Sequence, residues 1–300
     1  MLLVEPGLYI GTAADLNNVQ GLAEAAVSHV LSVDSEDPSP ALPSEGRVQH
    51  KWINVLDEPT SDLLTHMDDS FLFIQEAVEG GGAALVHCQA GRSRSATMVT
   101  AYLMRRHELS FSEAYGCLQR SKPDVQVNSG FQDQLQLYES MGWRVDPSNT
   151  EFRRYRLRLL AQQHSDLQVP SEVFAVDPAD SASTEVSYRC RKCRRTLFRS
   201  SSLLSHDVGG GASSFHHKKP SNFTGNASCT SYFIEPVQWM ESALIGQLDG
   251  PLHCPRCSCK LGSFCWAGGQ CSCGRWVSPS FQLHHNRLDQ IRPISFQNTH

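Results

Sequence analysis

The sequence predicts an α/β layer domain over residues 1–145, built as a central mixed sheet flanked by helices, followed by a smaller, β-rich, metal-binding domain over 186–290. Three observations carry this prediction. Strand-like and helix-like runs alternate through the first half, which is the pattern of a layered α/β fold. Only two of the eleven cysteines, Cys88 and Cys117, precede residue 150, and the other nine fall between Cys190 and Cys273. Charge divides in the same way: residues 1–145 hold nine Lys/Arg against nineteen Asp/Glu, and 146–300 hold seventeen against twelve, so the net charge of -5 conceals an acidic half and a basic one.

In chain order, 7–12 (GLYIGT) and 27–34 (VSHVLSVD) read as strands, and 51–57 (KWINVLD) as another after a Pro-rich turn. Residues 62–79 place apolar side chains at helical spacing and stop at three glycines. The run 83–88 (AALVHC) is short and apolar enough for a buried strand, and helices are expected over 94–107, 110–121 and 129–141. Asn128, just before the last, suits its cap or a loop-stabilising role, and Cys117 is expected in the core. Residues 146–185 read as a basic helix and linker: TEFRRYRLRLLAQQH sets Phe152, Tyr155 and Leu159 on one side and arginines around the rest, the form of a solvated connector. GGGASS at 209–214 reads as a mobile loop, and 291–300 as a tail.

No stretch approaches the roughly 20 apolar residues of a membrane span, so no membrane association is expected. Glu5 and Pro6 interrupt the N-terminus before a signal-peptide core forms, so secretion is not expected either. The acceptor triplets at Asn222 and Asn226 then carry no weight, and the cysteines point to thiolate chemistry or metal rather than disulfides.

The segment LVHCQAGRSRS is the most informative. A cysteine six residues before an arginine is weak evidence alone, because Cys193 and Arg199 repeat it. Cys88 differs in having a buried strand before it and Gly91 within the loop. A phosphate dianion needs many donors at once, which the backbone N–H groups of residues 88–93 can supply at a helix N-terminus. Gly91 permits the tight turn. Arg94 can close the ring as a fork on two phosphoryl oxygens. The same positive field favours the thiolate of Cys88, the attacking form. His87 is expected to support the loop without reacting. Ser95 suits either a donor to the departing sulfur or a helix cap, and Arg92 an exposed substrate contact. Asp57, on a loop after a strand, is the expected proton donor to the leaving group, with Asp62 and Glu58 as rivals.

The run His87-Cys88-Gln89-Ala90-Gly91-Arg92-Ser93-Arg94-Ser95, with Asp57 upstream, resembles the signature of the protein tyrosine phosphatase superfamily in its small dual-specificity branch. The resemblance covers residues 1 to about 145. It implies phosphorylated protein substrates, a phosphocysteine intermediate with Asp57 as acid and then base, and no cofactor in catalysis. There is no tyrosine-recognition insert, which fits a shallow site open to phosphoserine, phosphothreonine and phosphotyrosine.

In the second half, Cys254-x2-Cys257, a thirteen-residue gap and Cys271-x-Cys273 suggest one four-thiolate zinc site. Cys190-x2-Cys193 with His206 and Cys229 suggests a second, with His216 and His217 as competing ligands. Cys259 and Cys265 are surplus, expected as free thiols. YRCRKCRRTLFRSSSLLSH, CTSYFIEPVQWME and CSCGRW, behind the phosphatase-like half, resemble an atypical zinc-binding group of the same branch. That likeness implies one or two structural zinc ions, nuclear and cytoplasmic distribution, and a role in assembly of the large ribosomal subunit. The residues themselves offer a basic module compatible with a ribonucleoprotein or acidic protein partner. Trp239, Trp266 and Trp276 are expected to form its small core, and the chain is expected to be monomeric. Two functions follow: an active phosphatase with an accessory zinc domain, or an assembly factor acting mainly through that domain.

Overall fold

The structure is a computed structural model that describes residues 1–38, 48–162, 171–180, 184–210 and 229–293. His216, His217, Asn222 and Asn226 lie outside the described residues. The chain divides into two compact units, Met1–Phe152 and Arg153–His300.

The first unit is built on five strands: β1 (Leu2–Glu5), β2 (Leu8–Thr12), β3 (Val27–Val33), β4 (Gln49–Ile53) and β5 (Ala83–Cys88). Their order is β1-β2-β5-β3-β4. β1 is antiparallel to β2, and β5 runs parallel to both β2 and β3, so the sheet is mixed with β5 at its centre. A strand flanked on both sides reads as a near-continuous apolar run, and all six residues of β5, the polar His87 included, are buried. Helices are α1 (Val19–Glu24), α2 (Met67–Glu79), α3 (Arg94–His107), α4 (Phe111–Ser121) and α5 (Ser129–Ser140). Leu16 and Leu22 pack with Val30 and Leu85 on one side of the sheet. The alternate residues Leu31, Ala84 and Val86 are fully buried on the other.

Several local readings differ. β1 was not expected, because LLVE lacks alternation. β4 spans 49–53 rather than 51–57, since Val55 N–H turns to the Asp34 carbonyl and releases residues 54 onward into a loop. α2 begins at Met67, because the Asp62 carboxylate accepts from both Thr65 N–H and Thr65 Oγ1, forming a turn where the helix was expected to start. Cys117 is half-buried on α4, with Arg120 Nη2 2.9 Å from its sulfur, and not a core residue.

The second unit is mainly antiparallel. α6 (Thr150–Gln162) leads to β6 (Ser187–Cys190), β7 (Thr196–Arg199), β8 (Ser231–Phe233), α7 (Glu241–Leu244), β9 (Asp249–His253) and β10 (Lys260–Cys265). β11 (Gly269–Gln270), β12 (Trp276–Val277), β13 (Ser280–His284) and β14 (Leu288–Ile291) complete it. The sheets are β8-β13-β10-β9, β14-β6-β7 and β11-β12. α6, expected as a connector, inserts Leu157 and Ala161 into this unit's core beside Phe174, Val237 and Leu244. Trp266 is buried in that core and Trp239 packs against it, whereas Trp276 is 59% exposed.

Candidate active site and metal clusters

Residues 88–93 join the C-terminal end of the central strand to the N-terminus of α3, where α/β sheets commonly hold their ligands. Gly91 has φ of +67°, and a Cβ there would lie 2.6 Å from the Gly11 carbonyl oxygen, so both backbone and space require glycine. Its N–H donates to Cys88 Sγ at 3.2 Å, and Ser95 Oγ stands 3.2 Å from the same sulfur. Ser93, not Ser95, is the residue preceding the helix. Ser95, fully buried in the first turn, is therefore free to serve the sulfur. Gln89, Ala90 and Arg92 form the exposed rim. Arg92 is tied down: Nε donates to the Asp124 carbonyl at 2.9 Å, and Gln126 N–H returns a bond to the Arg92 carbonyl.

Arg94 is held from one side. Its Nη1 donates to Asp34 Oδ1 at 2.8 Å and to the Val55 carbonyl at 3.1 Å, while its buried Nε makes no hydrogen bond. The nearby Asp57 Oδ2 is 3.8 Å from Nε, beyond hydrogen-bond range. A buried donor without a partner costs about 1–3 kcal/mol, a deficit that an arriving anion removes.

Asp57 accepts at Oδ1 from Ser93 Oγ (2.7 Å) and Asn128 Nδ2 (2.9 Å). The loop that carries it is pinned by α5. Gln134 Oε1 accepts from Leu63 and Leu64 N–H, and its Nε2 donates to the Ser61 carbonyl. A Cβ on Gly130 would lie 1.9 Å from the Pro59 carbonyl oxygen, so α5 meets this loop backbone to backbone. Asp57 is thus joined to the phosphate loop through Ser93, while Asp62 is occupied by Thr65.

His87 is fully buried, with Nε2 2.6 Å from Ser32 Oγ. Burial lowers its pKa to about 4 against the opposing pull of Asp34, so it is neutral at physiological pH. Sequence reasoning missed Asp34, Ser32, Gln134 and the contact of Asn128 with Asp57. For Asn128 the sequence offered a cap or a loop-stabilising role; the cap is present at Phe131 N–H, and the side-chain amide reaches the Asp57 loop.

The eight expected metal ligands do assemble into two groups, but in a different pairing. Cys190, Cys193, Cys254 and Cys257 form one cluster, and His206, Cys229, Cys271 and Cys273 the other, with all donor atoms of each within 4.8 Å. The expected set of Cys254, Cys257, Cys271 and Cys273 is therefore corrected, as is that of Cys190, Cys193, His206 and Cys229. β10 lies between the two cysteine pairs, and each pair meets ligands distant from it in sequence. Two equivalent turns meet instead. Cys190 N–H bonds the Arg195 carbonyl and Arg194 N–H the Cys190 carbonyl, while Cys254 and Ser258 N–H repeat this with Cys259 and Cys254. Cys229 reaches the second cluster because Thr230 N–H bonds Ser272 Oγ.

Sulfur separations of 3.5 Å (Cys193 to Cys254) and 3.7 Å (Cys190 to Cys257) suit the edge of about 3.8 Å expected for tetrahedral zinc with bonds near 2.3 Å. Protonation fits a cation too. Burial pushes Cys254 and Cys229 up to about 12, whereas a backbone hydrogen bond from Cys259 brings Cys257 down to about 6. Burial opposes ionisation of Cys273, but N–H groups of Gly209 and Arg275 carry it to about 6. Cys254 and Cys229 ionise near neutral pH only with a positive charge beside them. Cys259, expected as a free thiol, lies 3.4 Å from Cys190 and 3.5 Å from Cys257.

A cysteine sulfur receiving an N–H, on a loop whose buried arginine Nε makes no hydrogen bond, suits a tetrahedral oxyanion, as the site of a phosphatase must. The family "Dual specificity phosphatase, catalytic domain" matches residues 8–141. The chain is 51% identical over 302 residues to human "Dual specificity protein phosphatase 12", covering 97% of this chain and 89% of that protein. It is 33% identical over 327 residues to "Tyrosine-protein phosphatase YVH1" of Saccharomyces cerevisiae, covering 95% and 90%. The chain belongs to the dual specificity phosphatase family.

Proposed function

We propose that this protein hydrolyses phosphotyrosine and phosphoserine or phosphothreonine in protein substrates through a phosphocysteine intermediate. The observation that carries this reading is the division of labour in Arg94, whose Nη1 is anchored by Asp34 while buried Nε makes no hydrogen bond. Cys88 Sγ attacks phosphorus as the bond to the leaving oxygen breaks, and Asp57 donates its proton to that oxygen. Water then attacks the phosphocysteine, Asp57 takes the proton, and inorganic phosphate leaves with Cys88 again a thiolate. Ser95 donates to that sulfur as it departs.

The two clusters hold zinc structurally in this reading, one ion each. Cys190 and Cys254 belong to the second unit's core, so a bound ion there serves in place of apolar packing.

A second role, in assembly of the large ribosomal subunit through an acidic or ribonucleoprotein partner in nucleus and cytoplasm, is favoured by one observation. Arg191, Lys192, Arg194, Arg256 and Lys260 are exposed on and beside the two knuckles of the first cluster.

The test compares wild type with Cys88→Ser and a Cys254→Ser, Cys257→Ser pair, for hydrolysis of phosphopeptides and for rescue of cells lacking the protein. Cys88→Ser should abolish turnover and the phosphoenzyme trapped by rapid quench. Retained hydrolysis in Cys88→Ser would overturn the nucleophile; full rescue by the same variant would place the essential role in the zinc unit.

A further inference from the structure

We propose that His50 is a positioning residue for the phosphate loop, acting through Ser32 to select which ring nitrogen of His87 carries the proton. This rests on the reading of Cys88 as nucleophile. The three side chains form one chain of hydrogen bonds across neighbouring parallel strands. Ser32 on β3 stands opposite His87 on β5, and its Oγ lies 2.6 Å from His87 Nε2 and 2.9 Å from His50 Nε2 on the edge strand β4. Ser32 and His87 are fully buried, whereas His50 is half-buried and reaches solvent. The link therefore runs from the surface to the residue next to the nucleophile.

Proton counting gives the link a direction. A serine hydroxyl has a single hydrogen, so a Ser32 bonded to both rings donates to one and accepts from the other. If His50 Nε2 donates, Ser32 donates to His87 Nε2 and the His87 proton resides on Nδ1. If Ser32 donates to His50 instead, His87 Nε2 must donate, and its Nδ1 is bare. That Nδ1 is buried beside the Cys88 backbone. A proton there turns the positive end of an N–H dipole toward the residue bearing the thiolate; a bare nitrogen turns a lone pair toward it.

His50 settles the choice when it is charged, because a charged imidazole can only donate. Burial lowers the pKa of His50, and the charge of Asp37 opposes that shift without cancelling it. His87 does not charge in step. Burial keeps it neutral although Asp34 and Asp15 oppose that, and a charged His50 disfavours a second positive charge. Protonation at the surface thus changes the tautomer of His87 and not its charge, and it supports the Cys88 thiolate as the pH falls.

The experiment uses the full chain. Nitrogen-15 imidazole spectra, followed from pH 8 to 5, should show His87 moving toward the Nδ1-protonated tautomer as His50 titrates, and this movement should vanish in His50→Leu. The acid limb of kcat/KM on an activated aryl phosphate should shift up by about half a pH unit in His50→Leu, about threefold less activity on that limb. His50→Gln keeps an amide donor for Ser32 and should restore the wild-type profile. Ser32→Ala should reproduce the shift, and adding His50→Leu to it should change nothing further. A His87 tautomer independent of both pH and His50 substitution overturns the proposal, as do coincident pH profiles for His50→Leu and wild type. The spectra decide the relay whether or not the chain turns over phosphate, so its failure is distinct from failure of the phosphatase reading.

Discussion

Asn128 donates its side-chain amide to Asp57 Oδ1 at 2.9 Å while its own amide oxygen caps α5 at Phe131 N–H, so one residue both starts a helix and holds the Asp57 carboxylate. The two roles separate by substitution. Asn128→Ser keeps a capping oxygen and loses the amide donor that reaches Asp57; Asn128→Ala loses both, at about 1 kcal/mol of stability. Both should lower turnover on alkyl phosphates about tenfold, but only Asn128→Ala should lower the thermal midpoint. Equal thermal midpoints for the two variants would count against the cap.

Asp57→Asn should reduce turnover on poor leaving groups by about 100-fold and on an activated aryl phosphate by less than about tenfold, because only the former need the proton. Steady-state rates over a leaving-group series check this, and equal losses would remove Asp57 from the acid role.

Asp34 and Arg94 are both buried, with the carboxylate setting one edge of the guanidinium. Asp34→Ala leaves a buried charge without its partner and should cost about 3–5 kcal/mol in denaturant unfolding, with a raised KM. Asp34→Asn keeps an acceptor for Nη1 and should retain most activity. Two variants with identical KM would show that the carboxylate does not orient Arg94.

The paired clusters predict independent metals. Cys190→Ser and Cys271→Ser should each lose one equivalent of zinc by mass spectrometry or chelator assay, and the double variant both. The same measurement probes Cys259: Cys257→Ser should retain more of the first ion than Cys257→Ser with Cys259→Ser, given the 3.5 Å separation of those sulfurs.

His87 makes stability depend on pH. Its folded pKa of about 4 lies below the unfolded value of about 6.5, so the unfolded chain binds the proton first as pH falls. This contribution is fully present above pH 6.5, is lost progressively down to about pH 4, and amounts to on the order of 3 kcal/mol. Denaturant titrations of wild type and His87→Asn between pH 7.5 and 4 should diverge in slope over that window. Parallel curves would argue against a buried neutral histidine.

The chemistry of this protein is written in contiguous residues. An apolar strand ending at Cys88, Gly91 in the turn and Arg94 at the helix start are fixed by spacing, because a strand, turn and helix in series form their loop locally. The helices over 94–107, 110–121 and 129–141 were legible for the same reason: period, caps and glycines act within a few residues. The supports of the site were not legible. Ser32 and Asp34 reach the loop only because β3 lies beside β5 in the strand order, and Asn128 and Gln134 only because α5 meets the Asp57 loop. The candidate metal ligands divide in the same way. Residue type and spacing single them out, but their pairing is decided by the tertiary fold, which brings each cysteine pair to partners distant in sequence. Short-range geometry is encoded in the order of residues; long-range partnership arises when strands choose neighbours, and that choice depends on burial summed over the whole fold.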